Sequence, residues 1–276
     1  MKLYPSVLTI AGSDCSGGAG IQADIKTISA LGAYAASAIT SITVQNTCGV
    51  TAIHPVPAEF VRAQIEAVMS DIRPHAVKIG MIGDVQVVDA IVDGFEQYRP
   101  KFVVLDPVMV STSGCELSKN EVVVAMKNKL MRYATVLTPN LLEAEALVSH
   151  SVRTIEEMKI AAHELLDMGC EAVLVKGGHL KGNVMCDVLQ PRDREEPYLF
   201  TASHVESCNT HGTGCSLSSA IATYLAQGTT VAVAVEKAKE FVHHGIVAAK
   251  DVHIGEGHGP INHFFQPVPL KAVEVK

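Results

Sequence analysis

Short apolar runs rich in β-branched residues recur along the chain. They alternate with longer stretches in which apolar residues return every three or four positions. The runs 7–11, 38–44, 76–80, 102–106, 135–138 and 172–176 read as strands. Several are apolar almost without interruption, the pattern of strands buried on both faces. In "EFVRAQIEAVMSDI", residues Phe60, Val61, Ile65, Val68, Met69 and Ile72 fall on one face of a helix. The segments "DVQVVDAIVDGFEQY", "NEVVVAMKNKLMRYA", "TIEEMKIAAHELLDMG" and "TVAVAVEKAKEFVHHGIVAAK" read the same way, with Gly169 placed to stop a helix. Such alternation predicts βαβ units, hence an α/β fold with a mostly parallel sheet and helices on both faces. Over 183–206 the pattern changes. "NVMCDVLQ" and "EPYLFTASHVE" read as two strands joined by the charged turn "PRDREE", an antiparallel hairpin added to the sheet. No internal repeat or Ser/Pro-rich linker interrupts the chain, so one domain spanning 1–276 is expected.

Composition narrows the functional classes. The 276 residues are 48% hydrophobic and 18% charged, with no Trp and a formal charge of -7. Few aromatics and a negative balance disfavour base stacking, a phosphate-backbone binder and an anionic membrane partner. The N-terminal apolar run is short and enters a Gly-rich turn, unlike a secretory signal, so a cytoplasmic location is expected. The seven cysteines are scattered, with no CxxC, and read as free thiols. Cys170 and Cys186 adjoin apolar runs and read as small buried hydrophobes. His253, His258 and His263 match no zinc spacing and read as structural or surface residues.

In parallel α/β sheets ligands bind beyond the carboxyl ends of the strands. Polar groups and glycines collect there strand after strand: "GSDCSGGAG", "QNTCG", "MIGD", "DPVMVSTSG", "PNLLEAEA" and "GGHLKG". Gly12, Gly17, Gly18 and Gly20 lie in a turn entering a helix; this is either a tight strand–helix connection or a close backbone approach to a ligand. Asp24 in the following helix is either a solvated acid or a carboxylate facing the crevice. Asp106 at a strand end could hold a metal-bound water, polarise a hydroxyl, or cap a turn. Asn140 and Glu143 have capping-box spacing; the alternative makes them oxygen ligands around Mg²⁺ and its waters. Lys176 ends a buried strand, where a lysine requires an anion, a nucleotide phosphate being one candidate. Gly212, Thr213, Gly214 and Cys215 bring backbone N–H groups to a helix N-terminus, which attracts anions. The same field is expected to lower the Cys215 thiol pKa, against a reading of Cys215 as a packed thiol.

The ordered set "LTIAGSDCSGGAGIQADIKT", "VQNT", "VKIGMIG", "VVLDPVM", "TPNLLEA", "VKGGH", "NTHGTGC" and "GEGHGPINHF" resembles the ribokinase-like superfamily in its vitamin-kinase branch. Within it the chain is similar to the hydroxymethylpyrimidine/phosphomethylpyrimidine kinases of thiamine biosynthesis. The resemblance spans nearly the whole chain. It implies a ribokinase-like three-layer α/β/α sandwich with a flap near 43–56. It also implies transfer of the ATP γ-phosphate to 4-amino-5-hydroxymethyl-2-methylpyrimidine, then to its monophosphate. Asp24 and Gln45 would hold the aminopyrimidine edge, with Gly12, Met81 and Val108 lining it. Asn140 and Glu143 would act through Mg²⁺, with Asp106 also near the ion, and Lys176 would meet the ATP phosphates. Gly212, Thr213 and Gly214 would form the anion hole, with Cys215 as general base. Relatives generally carry Asp where this chain has Cys215. A protonated thiol bears no charge, so a phosphorylated second substrate should meet less repulsion there. Gln45 favours the pyrimidine, whereas a pyridoxal/pyridoxine kinase is the rival on the same fold. The resemblance also implies a homodimer.

Overall fold

The computed structural model describes residues 2–110, 114, 117–178 and 184–274. Cys115 and most of "GGHLKG" lie outside the described residues. Nine strands form one sheet, whose six central members run parallel. In chain order they are β2 (Ser6–Asp14), β3 (Tyr34–Asn46), β4 (Gly49–Pro55), β5 (Ala76–Ile79), β6 (Val103–Leu105), β7 (Val136–Leu137), β8 (Ala172–Val175), β9 (Val184–Pro191) and β10 (Tyr198–Ser203). Their spatial order is β10-β9-β8-β7-β6-β5-β2-β3-β4. β4, β9 and β10 pair antiparallel at the two edges. A separate small pair joins β1 (Lys2–Leu3) to β11 (Val273–Glu274).

The alternation of strand side chains divides the core in two, as a sheet covered on both faces requires. Leu8, Ile10, Val77, Ile79, Leu105 and Val173 point to a layer of five helices. These are α2 (Ala58–Asp71), α3 (Val85–Tyr98), α4 (Asn120–Ala125), α5 (Leu141–Val148) and α6 (Ile155–Leu166). Val7, Ala76, Val104, Val136 and Leu174 point to α1 (Gly20–Ala30), α7 (Thr213–Ala226) and α8 (Val231–Ala249). The 183–206 hairpin is present as β9 and β10, joined by the charged turn.

Local differences from the sequence reading have physical causes. α2 buries Val61, Ile65 and Met69, but Phe60 is 62% exposed, because the stripe facing α3 is narrower than the apolar pattern. The helix expected over 120–134 begins as α4, then widens into a π turn at 126–130 and tightens at 131–133. β4 had no apolar signal because its side chains are largely exposed. It pairs with the outer half of β3, so that the two form the flap.

The flap tip is held from across the cavity mouth. His258 N donates to Thr47 O at 2.9 Å and Gly257 N to Thr47 Oγ1 at 3.1 Å. A Cβ on Gly257 would stand 2.2 Å from Thr47 O, so this clasp excludes any other residue there. Below the sheet ends lies a fully buried ion pair. Lys78 Nζ, from β5, is 2.9 Å from both oxygens of Asp24 in α1. Thr9 of β2 and Ser219 of α7 donate to the same carboxylate at 2.6 and 2.7 Å.

Removing one partner of this pair strands the other charge in the core. Lys78→Met is expected to lower unfolding free energy by about 3–5 kcal/mol. A urea transition shifted by less than about 1 kcal/mol would mean that the pair is not a structural constraint.

Candidate active site

A cavity of about 690 Å³ opens at the carboxyl ends of the parallel strands, where β2 and β5 diverge to opposite connections. The volume lies within the range of small-ligand sites. Gly12, Gln45, Met81 and Val108 line it, together with Asp106, Asn140, Glu143, Lys176 and the whole of Gly212, Thr213, Gly214 and Cys215. Asp24 does not line it, and its expected contact with a substrate edge is corrected. Both its oxygens are taken by Lys78, with Thr9 and Ser219 adding donors, and the residue is fully buried.

Cys215 sits in the first turn of α7, whose N-cap Gly212 provides no side-chain cap. Gly212 has φ 78°, and a Cβ there would meet Gly18 O at 1.8 Å. Only glycine permits the loop after β2 to press so closely on the start of α7. That loop runs into α1, which also lacks a side-chain cap, and the Gly20 backbone N–H at its start is among the groups that lower the Cys215 pKa. Two helix starts without side-chain caps therefore line one cavity, a concentration of donors and dipole suited to an anion.

The thiol itself departs from expectation. Burial pushes the Cys215 pKa up to about 11; Lys78 lowers it, but Asp24 and Asp106 raise it further. The helix field does not overcome burial beside two carboxylates, so the resting sulfur is a neutral thiol at pH 7.

Beside Gly214, where a Cβ would stand 3.5 Å from it, Lys176 Nζ lies 2.8 Å from Asp106 Oδ1 and 4.0 Å from Glu143 Oε2. The lysine thus has a protein counterion before any ligand arrives. Thr138 Oγ1 also donates to Asp106, at 3.0 Å. Burial opposes ionisation of Asp106, but Lys176 and Lys78 hold its pKa below the ordinary value. Burial pushes Glu143 up to about 7, against the lowering influence of Lys176. Asn140 and Glu143 form the expected capping box on α5, with bonds of 2.8 and 2.9 Å. That box fixes both groups at the cavity wall and leaves their surfaces in it. Among the described residues no group of three or more His, Cys, Asp and Glu converges as a ligand set.

Several polar residues at the site escaped the sequence reading, two pairs among them. Asp14 and His211 line the cavity beside Gln45 and bond to each other at 2.9 Å. Lys239 of α8 and Asp187 of β9 line its far side and pair at 2.5 Å. The histidine stood inside a motif inspected for its glycines and cysteine. Its signal was a polar ring immediately before a Gly-rich helix start.

The family model described as phosphomethylpyrimidine kinase matches residues 14–262. The chain belongs to the phosphomethylpyrimidine kinase family. A hydroxymethylpyrimidine/phosphomethylpyrimidine kinase of Rhizobium meliloti is 48% identical over 93% of this chain and 96% of its own. Among solved structures, the phosphomethylpyrimidine kinase of Clostridium difficile 630 is 42% identical with TM-score 0.77, covering 87% of this chain and 99% of that one. An ADP complex of Bacillus subtilis pyridoxal kinase is 33% identical with TM-score 0.86, covering 95% and 98%. The ribokinase-like α/β fold is common to both kinases, so backbone shape does not separate the acceptors. In this phosphomethylpyrimidine kinase family member, Gln45 lies at the cavity wall with Gly12, Met81 and Val108.

Because the folded thiol pKa is raised, Cys215 stays protonated through neutral pH and ionises only as pH approaches about 11. In the ligand-free protein, iodoacetamide is expected to label exposed Cys15, Cys48 and Cys208 at pH 7–9 while Cys215 lags. Peptide-resolved mass spectrometry reads this. Preferential labelling of Cys215 at pH 7 would restore the low-pKa reading.

Proposed function

We propose that the protein is an ATP-dependent kinase that phosphorylates 4-amino-5-hydroxymethyl-2-methylpyrimidine and then its monophosphate. The observation that carries this reading is that two helix N-termini without side-chain caps line one cavity together with Cys215 and Lys176. Family membership and relatives of the same named activity support it. Phosphoryl transfer rests chiefly on positioning and charge neutralisation, and this site offers both.

The acceptor ring would lie among Gly12, Gln45, Met81 and Val108, with its hydroxymethyl group at Cys215. The Gln45 amide can both donate to and accept from an aminopyrimidine edge. The N–H groups of Gly212, Thr213, Gly214 and Cys215 would receive the phosphoryl oxygens in flight. ATP phosphates would draw Lys176 from Asp106, with Asn140 and Glu143 on the same side. The donor set fits Mg²⁺ held through water by Asp106 and Glu143: two buried carboxylates at the wall, one already bonded to a lysine. Bound there, the ion would neutralise phosphate charge, and such ions keep most of their waters. Cys215 would take the hydroxyl proton only as its thiolate, after its own proton has left to solvent, and Lys78 is the cation whose field favours that form. The resting thiol adds no negative charge, which favours entry of an already phosphorylated acceptor.

The whole chain would act as one domain. All six described cysteines are free, which suits the reducing cytoplasm. Pairing as a homodimer rests on the family resemblance alone.

With Mg·ATP and the hydroxymethylpyrimidine, the products resolved by mass should be monophosphate, then diphosphate. Cys215→Ala should lower kcat by about 10²–10⁴, and Cys215→Asp should depress the second phosphorylation more than the first. ATP turnover without an acceptor product would overturn the assignment. An undiminished second step in the Asp variant would overturn the charge argument.

A further inference from the structure

His211 is buried between the loop after β2 and the start of α7, and no step above uses it. Its Nε2 lies 2.9 Å from Asp14 Oδ2 and 3.2 Å from the Gln45 amide. We propose that His211, fixed by Asp14, sets the orientation of the Gln45 amide and is thereby a positioning residue for the aminopyrimidine acceptor. The acceptor's identity rests on the function proposed above; the hydrogen-bond relay does not.

Hydrogen counting carries the argument. Asp14 Oδ1 accepts from Ser16 N at 2.8 Å and Ser16 Oγ at 2.7 Å. Its Oδ2 accepts from Gly18 N at 3.1 Å and Ala19 N at 2.8 Å. Burial opposes ionisation, but His211, Ser16 and Ala19 together hold the carboxyl well below its usual range. An ionised carboxylate only accepts, so His211 Nε2 must carry the hydrogen between them.

The two Gln45 amide atoms exchange places by a half-turn, and the surrounding hydrogens decide between the orientations. One amide atom lies 3.1 Å from Thr43 Oγ1; the other faces His211 Nε2. Thr43 has a single hydroxyl hydrogen, and Ser13 O accepts it at 2.9 Å. Thr43 therefore accepts from the amide NH₂, and the amide oxygen faces the His211 N–H. In this orientation the one His211 Nε2 hydrogen is shared between Asp14 Oδ2 and the amide oxygen; the opposite orientation would share the Thr43 hydrogen instead and would also set NH₂ against N–H.

The amide then keeps one oxygen lone pair and one N–H for a ligand. The oxygen takes the exocyclic amine of an aminopyrimidine, and the N–H takes the adjacent ring nitrogen. The backbone beneath the imidazole is pinned, His211 N donating to Gly259 O at 3.0 Å. From the other side, a Cβ on Gly18 would stand only 2.3 Å from His211 Cδ2.

Nitrogen-15 NMR of the histidines in the wild-type protein reads the relay without turnover, with His211→Leu serving to assign the signal. A hydrogen on His211 Nε2 is expected; a bare Nε2 overturns the proposal. In kinetics His211→Leu should raise KM for the hydroxymethylpyrimidine about tenfold or more. KM for ATP should stay within about threefold, and His211→Gln, which keeps a donor at the same reach, should recover most of the loss. Equal defects in both variants, a loss confined to kcat, or no change in the Leu variant would overturn it. If the wild-type protein phosphorylates no pyrimidine, the function assignment fails, while the NMR result still decides the relay.

Discussion

Everything at this site stands over the buried contact between Lys78 and Asp24. Both side chains are fully buried, and each charge would be untenable there without the other. The pair joins β5 to α1, and through Thr9 and Ser219 it also engages β2 and α7. These are the elements that set the cavity floor and bring the starts of α1 and α7 to it. Lys78 also acts electrically on the thiol, lowering its pKa against burial and two carboxylates. Packing and chemistry are thus carried by one interaction.

A second constraint ties the cavity mouth to its floor. The loop around 255–260 holds the flap tip at Thr47 and the backbone of His211. Asn209, next to that histidine, donates from Nδ2 to Ala249 O and Val252 O at 2.6 Å, tethering the segment before α7 to the end of α8. His263 accepts or donates at 2.9 Å with Ser216 in the first turn of α7. The closing motif therefore positions both the flap and the start of α7, although it contributes no residue to the cavity lining among those described. His263, read from sequence as structural or surface, is a buried support for α7.

What the sequence made legible follows from the kind of force involved. β2, β5 and β8 announced themselves because strands buried on both faces must be apolar. β4 did not, because an exposed flap strand is under no such demand. Gly212 to Cys215 and the Asn140–Glu143 box were legible because helix starts require local residue types at fixed spacing. Asp14, His211 and Lys239 were not, because their partners lie 197 positions away in one case and 52 in another. The resemblance implied a substrate contact for Asp24, and nothing near it in the chain reveals Lys78, 54 residues on. The Cys215 pKa was misjudged because a helix field is local and visible, whereas burial beside Asp106 is made only by the fold.

The central claim is that a fold common to two kinases selects its acceptor through the edge presented by Gln45. One mixture of the hydroxymethylpyrimidine, pyridoxal and Mg·ATP tests it, with the initial rates of both phosphorylated products followed together. The account predicts a pyrimidine preference in kcat/KM of about a hundredfold or more, the scale expected when a site's hydrogen-bonding groups match one ligand and are left unpaired by another. Equal rates, or a preference for pyridoxal, would contradict it.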